Sequence, residues 1–414
     1  MDRFASGAWV DRSTVRVVSA ATLAATLGLI ALTLLTRNGT LDAWGRPIGT
    51  DFTLLWSAGR MTLSGGATEV YDWARHFAAQ RAAHGGADIG FAGWHYPPPF
   101  LLVAAPLATM PYLLSLLVWQ AATLGACLAV VSRVLPGRDA LLASLAFPAA
   151  LVCLGHGHNG FLTAALFAGG LLVIDRRPLL GGALLGCLIY KPQFGLLIPF
   201  ALVAGGHWRA IGGAVASACI LSLLTLALFG PDPWLAFRDS LDLTRRVVVE
   251  DGATGWFKIV SAFSAVRLWG GSVAGAYAVQ GIVTGLVLAA TAWLWRAGAA
   301  LPLRAAALLA GSLLATPYVL DYDMMIIGPA IAWLAARGIR RGFLPWEKTI
   351  LALAWFAPLA ARHFALHAGV PAGFLATALL FGVAVRRAWV EAGGIGALQP
   401  SFRGAEGEPG THRR

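Results

Sequence analysis

Lys191 stands in the middle of an apolar run from Pro178 to Gly205 with basic residues at both ends, Arg176 and Arg177 before it and His207 and Arg209 after it. The run is about 27 residues long and one full crossing takes about 20, so two crossings do not fit. Positive charge beside a membrane segment favours the cytoplasmic face, and here both flanks carry it. A hairpin that enters and leaves on one face satisfies both constraints. Leu179–Ile189 climbs partway, Lys191 and Pro192 make the tip, and Phe194–Ala204 returns. A lysine held at that depth costs about 2.5–3.5 kcal/mol on insertion scales, so it needs water, an acid or an anionic ligand. Tyr190 and Gln193 add hydrogen-bonding groups, and the tip reads as the phosphate-binding end of a buried site.

The rest of the chain places that hairpin in a membrane. Its 414 residues are 58% hydrophobic and only 12% charged, a balance that excludes a soluble globular domain. The net charge of +11 does not point to nucleic acid, because the arginines are spread over short loops between apolar runs, as orientation signals are. The four cysteines all fall inside apolar runs without CxxC spacing and read as small core residues. Arg3, Arg12 and Arg16 precede an apolar stretch, Val17–Leu35, that reads as an uncleaved first helix. The pattern predicts an all-α polytopic membrane protein with about ten full crossings plus two half-helices, 10–12 in all. One transmembrane domain, 1–390, carries an outer loop at 36–96 with one or two amphipathic interfacial helices, the half-membrane hairpin at 178–205 and a second outer loop at 230–273. Within the latter, Ile259–Trp269 is expected to be a further interfacial helix. Residues 391–414 are expected to be a disordered cytoplasmic tail.

This topology sends the unusual polar residues to one face. Asp51, the Trp94–Pro98 corner, His158 and Asn159, Tyr318–Asp323 and the His363/His367 pair all fall at or near the outer side, toward which the hairpin tip points. Asp51 reads either as a general base on an acceptor hydroxyl or as the N-cap of a helix beginning at Phe52, and the two roles are compatible. His158 and Asn159, on a glycine-loosened turn, suit sugar hydroxyls or a phosphate oxygen, or else ordinary turn capping. Asp321 and Asp323 either face an aqueous cavity or pair with a base such as Lys191 or Arg60. His363 and His367 have the spacing of two zinc ligands, but no third ligand accompanies them in sequence, and neither a metal nor a cofactor is expected.

Asp51-Phe52-x-x-x-Trp56-x-Ala58-Gly59, Tyr71-Asp72, Tyr96-Pro97-Pro98, Gly157-His158-Asn159-Gly160 and Tyr190-Lys191-Pro192-Gln193, in that order, resemble glycosyltransferase family 87 (the DUF2029 membrane proteins). His158 departs from the family's usual Gly-Gln-Asn. The resemblance implies a GT-C fold and transfer of a hexose, mannose above all, from a polyprenyl-phosphate donor to a lipid or glycan acceptor outside the cytoplasmic membrane. It assigns the catalytic base to Asp51 and the phosphate countercharge to Lys191, with Arg60 near it. Trp56, Tyr96, His158, Asn159, Tyr190, Gln193, Asp321 and Asp323 complete the expected substrate contacts. A single carboxylate base suits an inverting displacement, and no Gly-rich nucleotide loop is present. A transporter or lipid flippase with an intramembrane Lys/Asp site is the alternative, against which the lack of repeat symmetry counts.

Overall fold

The computed structural model describes residues 2–393; the tail expected at 391–414 lies outside them except for its first three residues. The described chain is an all-α bundle whose only extended pairings are isolated bridges. Around an apolar core, some of its long helices show burial inverted relative to a soluble protein. The Arg12–Leu35 helix buries only Ser19 and Thr26. On Trp208–Phe229, Ile220, Leu223 and Leu228 are each at least 60% exposed. Apolar side chains turned outward and hydroxyls turned inward are what a lipid solvent selects. The protein is an integral membrane protein.

Six helices are long and apolar enough to cross alone: Arg12–Leu35, Tyr112–Val134, Trp208–Phe229, Val273–Arg296, Glu347–Ala368 and Ala372–Glu391. Arg138–Leu145 and Pro148–His156 make a seventh if taken as one span bent by 47°. Any further crossings among the expected ten fall on shorter apolar helices. Gly160–Val173, Pro178–Tyr190, Pro192–Ala204 and Leu301–Leu314 sit where crossings or half-crossings were expected, but are too short to span alone.

Residues 178–205 fold as two short arms with Lys191 between them. Pro178–Gly186 tightens into a 3-10 turn, Cys187–Tyr190, and after Lys191 a second 3-10 turn, Pro192–Leu196, leads into Leu197–Ala204. Pro192 bars the helical region to the residue before it, and Lys191 accordingly sits at φ −127°, ψ 71°. The base of the hairpin is tied by Arg304, which donates to Asp175 at 2.9 Å and contacts the His207 ring nitrogen at 3.1 Å. The rising arm packs on Trp208–Phe229 so closely that a Cβ at Gly182 would come within 1.8 Å of the Ala210 carbonyl.

Two loop expectations change. The 36–96 region holds two helices, Thr50–Leu63 and Trp73–Ala83, the second capped by Asp72, which accepts from the Ala74 and Arg75 amides. Thr50–Leu63, however, buries eight residues against the bundle and is part of its core. The helix expected over Ile259–Trp269 is only Ala262–Leu268, and Ala262 through Ala265 are buried in it.

The tight arm contact yields a first prediction. Gly182→Val, which helix propensity alone would change little, is expected to force the hairpin off Trp208–Phe229. The midpoint of thermal unfolding in detergent should fall by several degrees, whereas Gly212→Val, with open space at its Cβ, should leave it nearly unchanged. Equal midpoints for the two variants would refute the close approach.

Candidate active site

Two left-handed glycines bring distant segments of chain together. Gly49, at φ 73°, turns the chain into the Thr50–Leu63 helix, and Gly157, at φ 66°, ends Pro148–His156. They pack against each other, so that a Cβ at Gly157 would lie 2.6 Å from that of Phe52. Trp119 fixes the second turn by donating its indole N–H to the Gly157 carbonyl at 3.0 Å. The result sets Asp51 beside His156, with Oδ1 and Nδ1 3.9 Å apart. The same ring nitrogen meets the Thr50 hydroxyl at 2.6 Å. The cap position of the helix is Gly49, which uses no side chain, so Asp51 is not an N-cap. Its carboxyl is 23% exposed and lines a cavity of about 330 Å³.

Burial pushes the Asp51 carboxyl above its ordinary range, and nearby Asp321 adds to that; His156, Arg362 and Lys258 pull the other way. Of the other expected residues, Tyr96, His158, Tyr190, Lys191, Gln193, Asp321 and Asp323 line the same cavity. The Tyr96 hydroxyl meets the His158 ring at 3.1 Å, and that ring stacks on Tyr322 with centroids 3.3 Å apart. Tyr190 stacks on Phe100 and hydrogen-bonds Thr163. The His158 Nδ1 is buried without a hydrogen-bond partner.

Lys191 does not wait for a ligand. Its ammonium donates to Asp323, both side chains are 3% exposed, and the Phe194 and Tyr322 rings lie 5.7 Å and 5.4 Å from it. The other Asp323 oxygen accepts the Leu320 amide at 3.1 Å. Of the alternatives open for the two acids, pairing with Lys191 is the one Asp323 takes. Asp321 pairs instead with Arg362, through both guanidinium edge nitrogens, and Arg362 also contacts the His156 ring at 3.3 Å.

Three expected residues lie elsewhere. Trp56 donates its indole to the Met110 carbonyl, and Arg60 is exposed above the Trp56 ring; neither lines the cavity. An arginine four residues after Trp56 shares its helix face, and that face turns away from Asp51. Asn159 is buried behind the wall, its carbonyl taken by Thr163 and its side-chain oxygen unpartnered. His363 and His367 have ring centroids 4.5 Å apart, and no third His, Cys, Asp or Glu gathers with them among the described residues.

Arg362, Lys258 and His95 were not singled out from the sequence, and His156 only weakly. Arg362 carried a legible signal: it interrupts an apolar helix, as Lys191 interrupts its run. Lys258, at the edge of a loop, had none. His95 contacts the Thr244 hydroxyl at 2.9 Å; burial, with His76 beside it, lowers its pKa to about 4, so it is neutral near pH 7. A larger apolar groove of about 900 Å³ lies elsewhere, beside the Ile327–Arg341 helix, and shares no lining residue with this cavity. Converging acids, cations and imidazoles make the smaller one the candidate for chemistry.

The model of glycosyltransferase family 87 matches residues 94–317, more than half of the chain. The protein belongs to glycosyltransferase family 87. It is a membrane glycosyltransferase, which decides between the enzyme and transporter readings. No curated protein and no solved structure matches the chain. The matched span contains Tyr96, His158, Lys191 and Lys258 but ends before Asp321 and Arg362 and begins after Asp51.

The Lys191–Asp323 pair generates the second prediction. Removing one member of a buried pair strands the other charge and costs about 3–5 kcal/mol. Lys191→Met is expected to lower the unfolding midpoint in detergent sharply, and Lys191→Met/Asp323→Leu to recover much of the loss. A double variant no more stable than the single would show that the two side chains do not depend on each other.

Proposed function

We propose that this glycosyltransferase moves a hexose, with mannose the first candidate, from a polyprenyl-phosphate donor to a lipid or glycan acceptor, with Asp51 as general base and inversion at the anomeric carbon. The observation that carries the reading is the Asp51 carboxylate: it has no capping role, no lysine or arginine among the described residues takes it in a close ion pair, and it opens into the cavity beside His156. In one displacement, the acceptor oxygen forms a bond to the anomeric carbon and gives its proton to Asp51. The bond from that carbon to the donor phosphate breaks, and its electron pair leaves with the phosphate oxygen.

Several features support the assignment. The cavity volume lies at the low end of the range for ligand pockets, about 300–1,000 Å³, which suits one sugar and its phosphate better than a nucleotide sugar. Tyr96, His158, Tyr190 and Gln193 supply hydroxyl, imidazole, phenol and amide groups around it, the kind of polar lining that recognises sugar hydroxyls. Lys191 with Asp323 forms a neutral pair at the hairpin tip, and a donor phosphate reaching Lys191 would have to exchange with Asp323. Arg60, exposed on the far side of its helix, is better placed for lipid headgroups than for the donor. The arginine distribution favours hairpin ends in the cytoplasm and the cavity outside a cytoplasmic membrane.

Two outcomes test this reading. In the purified protein, a polyprenyl-phosphate hexose should release polyprenyl phosphate only when acceptor is added. Asp51→Asn keeps the shape but takes no proton, so turnover is expected to fall about 10²–10⁴-fold with the fold intact; transfer within threefold of the parent would remove Asp51 from the mechanism. The raised Asp51 pKa also has a sign. The base is lost as pH falls through that value, so the acid limb of kcat/KM should lie above the ordinary carboxylate range and vanish in Asp51→Asn. Topology is checked by cysteines at 176 and 254: an impermeant reagent added outside should label the second alone.

A further inference from the structure

Lys258 is the cavity cation that the mechanism above leaves unused. It ends the short turn Trp256–Lys258, and the chain beyond it is clamped: Ile259 bridges Leu320, and the Val260 amide donates to the Val319 carbonyl at 2.8 Å. That clamp joins the loop to the backbone just before Asp321 and Asp323, and so holds Lys258 in the cavity wall. Among the described residues Lys258 pairs with no carboxylate; its ammonium lies 5.7 Å from the Phe257 ring. Thr254, on the same loop, also lines the cavity, and its buried hydroxyl has no hydrogen-bond partner.

The charges then sort themselves. The cavity holds three carboxylates and three fixed cations. Asp323 takes Lys191 and Asp321 takes Arg362. Asp51, with the His156 ring 3.9 Å away as its nearest basic group, and Lys258, with no carboxylate in ion-pair contact among the described residues, are left facing one space. A displacement that gathers a proton and sheds a phosphate needs that combination.

We propose that Lys258, with the Thr254 hydroxyl on the same loop, is the donor-phosphate site, binding the lipid phosphodiester and countercharging the phosphate as it leaves. This rests on the lipid-phosphate-sugar reading. The bound donor phosphodiester carries one negative charge. As the bond to the anomeric carbon breaks, the electron pair stays on the phosphate oxygen, and the released phosphomonoester carries a second charge. The acceptor proton meanwhile sits on Asp51, so the step balances. Lys258 therefore attracts the transition state more than the ground state, and its loss falls on kcat as well as on donor KM.

The test is steady-state transfer by the purified full-length protein, using a synthetic polyprenyl-phosphate hexose and following release of polyprenyl phosphate. Lys258→Met keeps most of the stem and removes the charge. Donor kcat/KM should fall about 10²–10³-fold, as for loss of one transition-state anion contact. Acceptor KM should stay put, and product inhibition by polyprenyl phosphate should weaken at least tenfold. Lys258→Arg should retain most activity, because it keeps the charge. Lys258→Cys should be slow and recover on alkylation to the aminoethyl thioether, which restores an ammonium at the same place; a residue needed only for folding would not respond. A parent protein that turns over no lipid-phosphate hexose would overturn the donor reading and this site with it. An active parent whose Lys258→Met variant keeps donor kinetics within threefold, or whose Lys258→Cys variant gains nothing from alkylation, would overturn the Lys258 assignment alone.

Discussion

The buried Lys191–Asp323 ion pair is the constraint around which this bundle is arranged. Neither group could stay charged alone at 3% exposure, because desolvation would outweigh any folding gain. Each therefore obliges the other's segment to arrive. Lys191 comes on the turn between two short arms, Pro178–Tyr190 and Pro192–Ala204, and Asp323 comes on the 3-10 turn Asp321–Ile326 that breaks the apolar chain between Leu301–Leu314 and Ile327–Arg341.

Around that pair the cavity is nearly neutral. Arg362 answers Asp321 and reaches the His156 ring, and His156 in turn sits beside Asp51 and bonds Thr50. A neutral lining lets the site sit at the edge of a low-dielectric bundle without large desolvation cost, while the two unmatched charges keep their electrostatic reach. Partial burial then does two things to Asp51 at once. It raises the carboxyl toward a useful basicity, and it strengthens each interaction with neighbouring cations.

The Gly49–Gly157 contact is the other device on which the site depends. It converts a sequence separation of more than a hundred residues into contact between two turns, and no larger residue fits at Gly157 without moving Phe52. Left-handed backbone at both positions is what aims Asp51 and His158 into one space. Trp119 and Tyr112 hold the two turns from the Tyr112–Val134 helix, Trp119 through the Gly157 carbonyl and Tyr112 through the carbonyls of Ile48 and Gly49.

The sequence by itself determined the membrane class and singled out eight of the residues that line the cavity, Asp51 and Lys191 among them. Apolar runs, flanking arginines and a lone intramembrane lysine are local signals whose energetic meaning does not depend on the partner. The same logic could have found Arg362, a charge inside an apolar helix. The tertiary structure decided which charge meets which. It gave Asp323 to Lys191 and Asp321 to Arg362, turned the helix face of Arg60 and Trp56 away from the cavity, and removed the capping role from Asp51. Ion pairing within a bundle depends on distances of a few ångströms between segments far apart in the chain, and hydropathy along one segment carries no information about them.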